Sequence, residues 1–152
     1  SHGPPILLDF SWWSGFAPTI CQKAINAIEL QLNSIAIDNQ TFWFSKNRST
    51  EDNFRENVHF LPAFDEILIS YKTREASFSG DHQSKTFTNN GIFKPIILEN
   101  GKVIGIWKRT IKKDHVKIET EFFNETENSK KAILFEGIKA FETYLETKVV
   151  IG

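Results

Sequence analysis

The chain has no methionine and one cysteine among its 152 residues, and its 18 basic and 19 acidic side chains nearly cancel. Each shortage removes a class of explanation. A single thiol, Cys21, cannot close an internal disulfide, so a reducing compartment, the cytoplasm, is the expected location. Cysteine-based zinc sites are excluded as well. His2, His59, His82 and His115 are scattered without the close spacing of metal-ligand sets, so neither a metal nor a cofactor is expected. No apolar run approaches the roughly 20 residues of a membrane span, and the start SHGPP lacks the basic-then-apolar pattern of a leader. A chain without methionine, with a helical signal within a few residues of its start, reads as an excised piece of a longer protein. A formal charge of −1 excludes a global polycation. Any contact with nucleic acid has to come from a local basic patch.

What is abundant is aromatic. Fourteen phenylalanines and four tryptophans sit in a composition that is 40% hydrophobic and 24% charged, which is ordinary for a globular protein. The length holds one medium domain or two small ones.

Pro4 and Pro5 suit the first turn of a helix, with Ile6, Phe10 and Trp13 on one apolar stripe and Leu8 and Trp12 on another. A short helix apolar on two sides is expected to be buried on both, so Trp12 and Trp13 are assigned to the core. Base stacking needs aromatics on an open surface beside cations, and DFSWWSG offers only Asp9. Gly15 is placed to end this helix. Pro18 suits the first position of a second helix, with Ile20, Ala24 and Ile28 on its apolar face and Thr19, Gln22, Lys23 and Asn26 on its polar face. Two short strands follow, Ser34 to Asp38 and Thr41 to Phe44, joined across Asn39-Gln40. Two helices and a hairpin outline a winged helix that lacks its usual first helix.

The polar stretch from Ser45 to Asn57 is the best linker candidate. After it, Val58 to Tyr71 is an apolar stretch broken by Pro62 and Asp65-Glu66, and Phe78 to Gly91 is a turn-rich loop. Gly91 to Phe123 reads as an antiparallel meander of three strands, with Asn100-Gly101 as a strong hairpin signal. A helix from roughly Glu125 to Thr147 carries Leu134, Ile138, Phe141 and Leu145 at helical spacing and should lie across the sheet. The expected class is α+β: a winged-helix-like domain over 1–46, a linker over 47–57, and an antiparallel β-barrel-like domain with a C-terminal helix over 58–152.

Several of these stretches, taken in order, resemble the bacterial winged helix DNA-binding domain-containing proteins. They are His2-Gly3-Pro4, Asp9-Phe10 with Trp12-Trp13-Ser14-Gly15, Leu61-Pro62-Ala63-Phe64-Asp65-Glu66, Tyr71 with Arg74, Gly91-x-Phe93-x-Pro95, Asn100-Gly101 and Gly105-x-Trp107. The resemblance runs along nearly the whole chain. It implies a parent protein of consecutive winged-helix motifs followed by a β-barrel-like domain, of which this chain matches the last winged helix and the barrel. The implied partners are double-stranded DNA and upstream winged-helix domains of the same protein. One branch of the wider family consists of DNA glycosylases that unhook interstrand crosslinks and excise alkylated bases. Their Gln-x-Gln or Gln-x-Asp signature lies near the N-terminus of full-length members. Gln31-Leu32-Asn33 resembles it superficially, at a different place in the order and ending in Asn, so no catalytic role is carried onto Gln31.

The candidate contacts are cationic. Lys102, Lys108, Arg109, Lys112 and Lys113 follow one another without an acidic residue between them, which suits a strand pair laid over a phosphate backbone. A solvated hairpin using lysines to protect sheet edges is the competing reading. On the second helix, Gln22 and Asn26 could read adenine edges beside Lys23, although Glu29 is close and the face is weakly charged. Arg74 is expected to pair with Asp65 first and to touch phosphate second. Asp65 and Glu66 are neighbours in sequence and point in different directions, so they do not form an acid/base dyad. Cys21 lies inside a helix with no histidine near it in sequence, and is expected to be buried and structural. The expected function is a DNA-binding fragment contacting duplex backbone, with a role in base-damage repair. The alternatives are a structural and interaction module without direct DNA contact and, third, a self-contained small-molecule-binding barrel.

Overall fold

The computed structural model describes residues 3–47, 58–78, 82–88, 90–124 and 127–152. The chain is α+β, and it divides into two compact units, Ser1–Asn53 with Glu66–Arg74, and Phe54–Asp65 with Glu75–Gly152.

In the first unit Pro4 and Pro5 do not open the helix. The chain there is extended: the Pro5 carbonyl accepts from the Trp43 N–H at 3.0 Å, and Ile6 bridges Phe42. The helix α1, Leu7–Ser14, starts later because buried Asp9 accepts the Ile6 N–H at 3.2 Å and satisfies an otherwise unpaired end group. As expected, Gly15 closes it in the left-handed region, at φ 74°, with its N–H on the Ser11 carbonyl. Pro18 occupies the start of α2, Pro18–Ala27, also as expected.

The buried stripe of α2 differs from the expected one. Cys21 and Ile25 face inward, while Ile20 and Ile28 are 53% and 45% exposed. The turn between the helices is short, and it sets the Cys21 sulfur 3.8 Å from both the Ser14 hydroxyl and the Phe16 carbonyl, so the small thiol fills the corner. The tryptophan pair differs too. Trp12 and Trp13 are 56% and 58% exposed, not core. Two turns of helix cannot bury every apolar position, and the inward places here belong to Asp9 and the preceding Ile6. The Trp12 indole N–H reaches the Ile69 carbonyl at 3.1 Å.

A 3-10 turn, Glu29–Gln31, leads into an antiparallel hairpin of β1, Leu32–Ile37, and β2, Gln40–Ser45. Its turn is Asp38-Asn39, one residue earlier than expected, with φ of 48° and 62°. Asp and Asn tolerate positive φ better than Gln does, which decides the register. A short helix α3, Glu66–Ile69, returns to this unit with Leu68 fully buried. The second oxygen of Asp9 accepts the Lys72 N–H at 3.0 Å, so one carboxylate ties the start of α1 to the segment after α3.

The second unit is a curled five-stranded half-barrel sheet with a helix across it. The strands are β3, Val58–Leu61, β4, Ile96–Glu99, β5, Lys102–Ile111, β6, Val116–Phe122, and β7, Val149–Ile151, in the order β3-β4-β5-β6-β7. The expected meander is β4-β5-β6, joined through Asn100-Gly101, both at positive φ. The sheet is not wholly antiparallel, because β7 runs parallel to β6. Val149 to Ile151 is too short a run to announce a strand, and the preceding helix supplies the crossover that parallel pairing needs. A 3-10 turn, Glu75–Ser77, and a short helix α4, Gln83–Thr86, lie within and beside the stretch read as loop.

The helix α5 spans Glu127–Leu145; the expected start at Glu125 lies outside the described residues. Its Ile138, Phe141 and Leu145 pack on a core of Ile97, Trp107, Val116, Ile118 and Val149. Trp107 is the centre of that layer. Its ring meets Phe60 and Phe141 edge-on at 5.5 and 5.3 Å, and its N–H donates to the Leu61 carbonyl at 2.8 Å. Among the described residues no helix is long and apolar enough to cross a membrane.

Candidate nucleic-acid interface

The five hairpin cations lie on or beside β5, and pairing with β6 sorts them. Lys108 stands opposite Glu119, and its ammonium lies 3.2 Å from one carboxylate oxygen while Lys117 lies 3.4 Å from the other. These contacts, the Lys108 hydrogen bond first, hold the Glu119 carboxyl below its ordinary range. Lys102 is also engaged, donating to the Ala76 carbonyl at 2.7 Å. The run that carries no acid in sequence therefore faces acid across the strand pair.

Arg109, Lys112 and Lys113 are different. All three are exposed, and among the described residues none has an ion-pair partner. Arg109 sits opposite Ile118, and Ile111, two residues on along the same strand face, is 72% exposed. The turn is closed by the Lys112 N–H on the His115 carbonyl at 2.9 Å, which presents Lys112 and Lys113 at the hairpin end. The nearest acid, Asp114, is bound by His115 at 2.8 Å, a contact that lowers its pKa. Parallel pairing of β7 adds a cation that sequence spacing could not place: the Lys148 carbonyl accepts the Val116 N–H at 2.9 Å, so exposed Lys148 stands beside the turn end of the hairpin. Lys117 is the other cation missed, since only the register reveals that it shares Glu119.

The remaining candidates belong to the first unit. Gln22 and Asn26 hydrogen-bond to each other at 2.8 Å on the open face of α2, one turn apart, with Lys23 exposed beside them. Arg74 is half-buried, its Nε donates to the Leu68 carbonyl, and burial lowers its pKa. Among the described residues no group of three or more His, Cys, Asp or Glu side chains could hold a metal ion.

The family described as DNA glycosylase AlkZ-like matches residues 1–143, almost the entire length. The chain belongs to the AlkZ-like DNA glycosylase family. A solved structure of Streptomyces sahachiroi DNA glycosylase AlkZ is similar at a TM-score of 0.71 with 16% sequence identity. At that identity the likeness speaks for the fold. The match covers 99% of this AlkZ-like chain and 42% of that one, so the chain spans less than half the length of the solved relative. No curated protein matches the chain.

Proposed function

We propose that this chain is a DNA-contacting part of an AlkZ-like protein whose β5–β6 hairpin end lies on the backbone of a duplex. The observation that carries the reading is the sorting of charge along one hairpin. Lys108 is paired with Glu119, a carboxylate it shares with Lys117, whereas Arg109, Lys112 and Lys113 are left open at the end, with Asp114 already held by His115. Cations without acidic partners are the ones able to exchange small counterions for phosphates. The family supports DNA as the substrate and base-damage repair as the setting.

In the same reading the first unit is a winged helix without its first helix. The order of bridged extended segment, α1, α2 and hairpin supports this. In this reading its helix α2 is assigned no base contact, because Lys23 is the lone cation on a helix face where Gln22 donates one amide N–H to the Asn26 Oδ1. The exposed Trp12, Trp13, Phe16 and Ile20 suit packing against upstream winged-helix domains of the same protein better than contact with DNA.

The test is fluorescence anisotropy of a labelled duplex at low salt with the intact protein. Replacing Arg109, Lys112 and Lys113 together by alanine should lower affinity by at least tenfold, while Gln22→Ala with Asn26→Ala should leave it within twofold. An unchanged affinity for the triple variant rejects the hairpin grip and leaves an interaction module without direct DNA contact.

A further inference from the structure

Phe64, just after β3, combines two costs at one position. Its backbone stands at φ 59°, in the left-handed region. Among the described residues the other non-glycine positions there are Asp38, Asn39, Asn100 and Glu146, and none of them is aromatic. Asn and Asp tolerate that conformation through local hydrogen bonds, whereas a bulky side chain is strained in it. Burial does not offset the strain, because Phe64 is 53% exposed. Phe93 meets its ring edge-on, with centroids 6.0 Å apart, and Phe87 backs Phe93 at 5.5 Å. Ile92 beside them is 52% exposed. Strain that serves to hold an aromatic ring in the open points to a contact outside the fold.

The register sets this cluster, which belongs to the second unit, at the end of the sheet that carries the open cations. Leu61, where β3 ends, pairs with Ile96, where β4 begins, and Ile96 pairs with Ile106 of β5. The Pro95 carbonyl accepts the Trp107 N–H at 3.1 Å. Beyond Trp107, β5 runs on to Arg109 and the turn with Lys112 and Lys113. Phe64, Phe93 and the three cations therefore all lie off one end of the strands. We infer that Phe64, backed by Phe93, is a stacking seat for a nucleobase displaced from the helical stack of DNA whose backbone the hairpin cations hold. The inference rests on the proposed contact with DNA. Stacking on a protein ring needs an open aromatic with cations nearby, and it accepts any base because each has a π face. The tryptophans of DFSWWSG lack the cations, and this cluster has them. Cations without acidic partners favour a polyanion over an apolar protein surface as the occupant.

The test uses the intact protein and two labelled duplexes that differ by one base, the first with a single bulged adenine and the second with an abasic bulge at the same place. Both are titrated by fluorescence anisotropy at the same low salt. The adenine duplex should bind at least about fivefold more tightly, the effect of one stacked base. Phe64→Asn, which suits the backbone but removes the ring, should bring that ratio within about twofold, and Phe64→Tyr should keep it. Phe64→Asn should also lower the urea midpoint, followed by far-ultraviolet circular dichroism, less than Phe93→Ala does. Equal binding of the two duplexes, a ratio that survives Phe64→Asn, a ratio abolished by Phe64→Tyr, or a midpoint lowered by Phe64→Asn as far as by Phe93→Ala overturns the inference and leaves Phe64 as packing or as a protein contact. Failure of the hairpin grip appears elsewhere, as an unchanged affinity for the abasic duplex when Arg109, Lys112 and Lys113 are replaced by alanine. The two failures are therefore distinguishable.

Discussion

Asp9→Ala removes one carboxylate and unpairs two backbone groups, which makes it the sharpest probe of the first unit. Asp9 is 5% exposed and accepts the Ile6 N–H at 3.2 Å and the Lys72 N–H at 3.0 Å. Each buried donor left without a partner costs about 1–3 kcal/mol. The Lys72 contact is only partly buried, so water recovers some of that loss. The sum expected is about 2–4 kcal/mol, a large share of what a small unit possesses. Asp9→Asn keeps an acceptor oxygen and should lose about half as much. Three of the four tryptophans, Trp12, Trp13 and Trp43, belong to the first unit, so urea unfolding followed by tryptophan fluorescence reports mainly on it. A loss below about 0.5 kcal/mol for Asp9→Ala would refute the claim that this carboxylate fastens α1 to the segment after α3, since that is the size of an ordinary surface change.

The second unit gives two further stability tests. A methyl group at Gly105 would lie 2.6 Å from the Glu121 carbonyl oxygen and 3.2 Å from the Phe122 Cα, and this backbone of β6 cannot yield as a flexible side chain would, so Gly105→Ala should cost at least about 2 kcal/mol in the same denaturant assay. Trp107→Phe should cost about 2–3 kcal/mol, from the lost hydrogen bond to Leu61 and the space left between Phe60 and Phe141, with the loss of near-ultraviolet circular dichroism as a second readout. For Glu119 the folded-state pKa is depressed, so its pairs with Lys108 and Lys117 are present at neutral pH and are lost as pH falls below the ordinary 4.5 and through the folded value. Carboxyl NMR should place its midpoint below 4.5. Glu119→Gln releases both lysines, and duplex binding at neutral pH should then tighten and its salt slope steepen by about 1 to 2.

Local chemistry was legible where one residue decides the backbone. Gly15, Pro18 and Asn100-Gly101 each fix a turn or a helix end by their own φ preferences, and each does so in the structure. Periodicity failed where a helix is short and apolar all round. In α1, no spacing rule can choose which position faces inward, and the choice went to Asp9, where a distant segment, at Lys72, meets that carboxylate. In α2 the stripe moved by one residue to Cys21 and Ile25 for a similar reason, the tight corner with α1. The hairpin cations were visible as a run, yet their inequality was not. Glu119 is eleven residues beyond Lys108 and becomes its neighbour only through strand register, and Lys148 reaches the site only through the parallel pairing of β7.

The salt dependence of duplex binding tests the central claim most directly. If Arg109, Lys112 and Lys113 each neutralise one phosphate, the slope of log K against log salt for the intact protein should flatten by about 2.7 when the three are replaced by alanine. Equal slopes for the two proteins, at any affinity, would contradict the account, because cations that displace no counterions are not on the backbone.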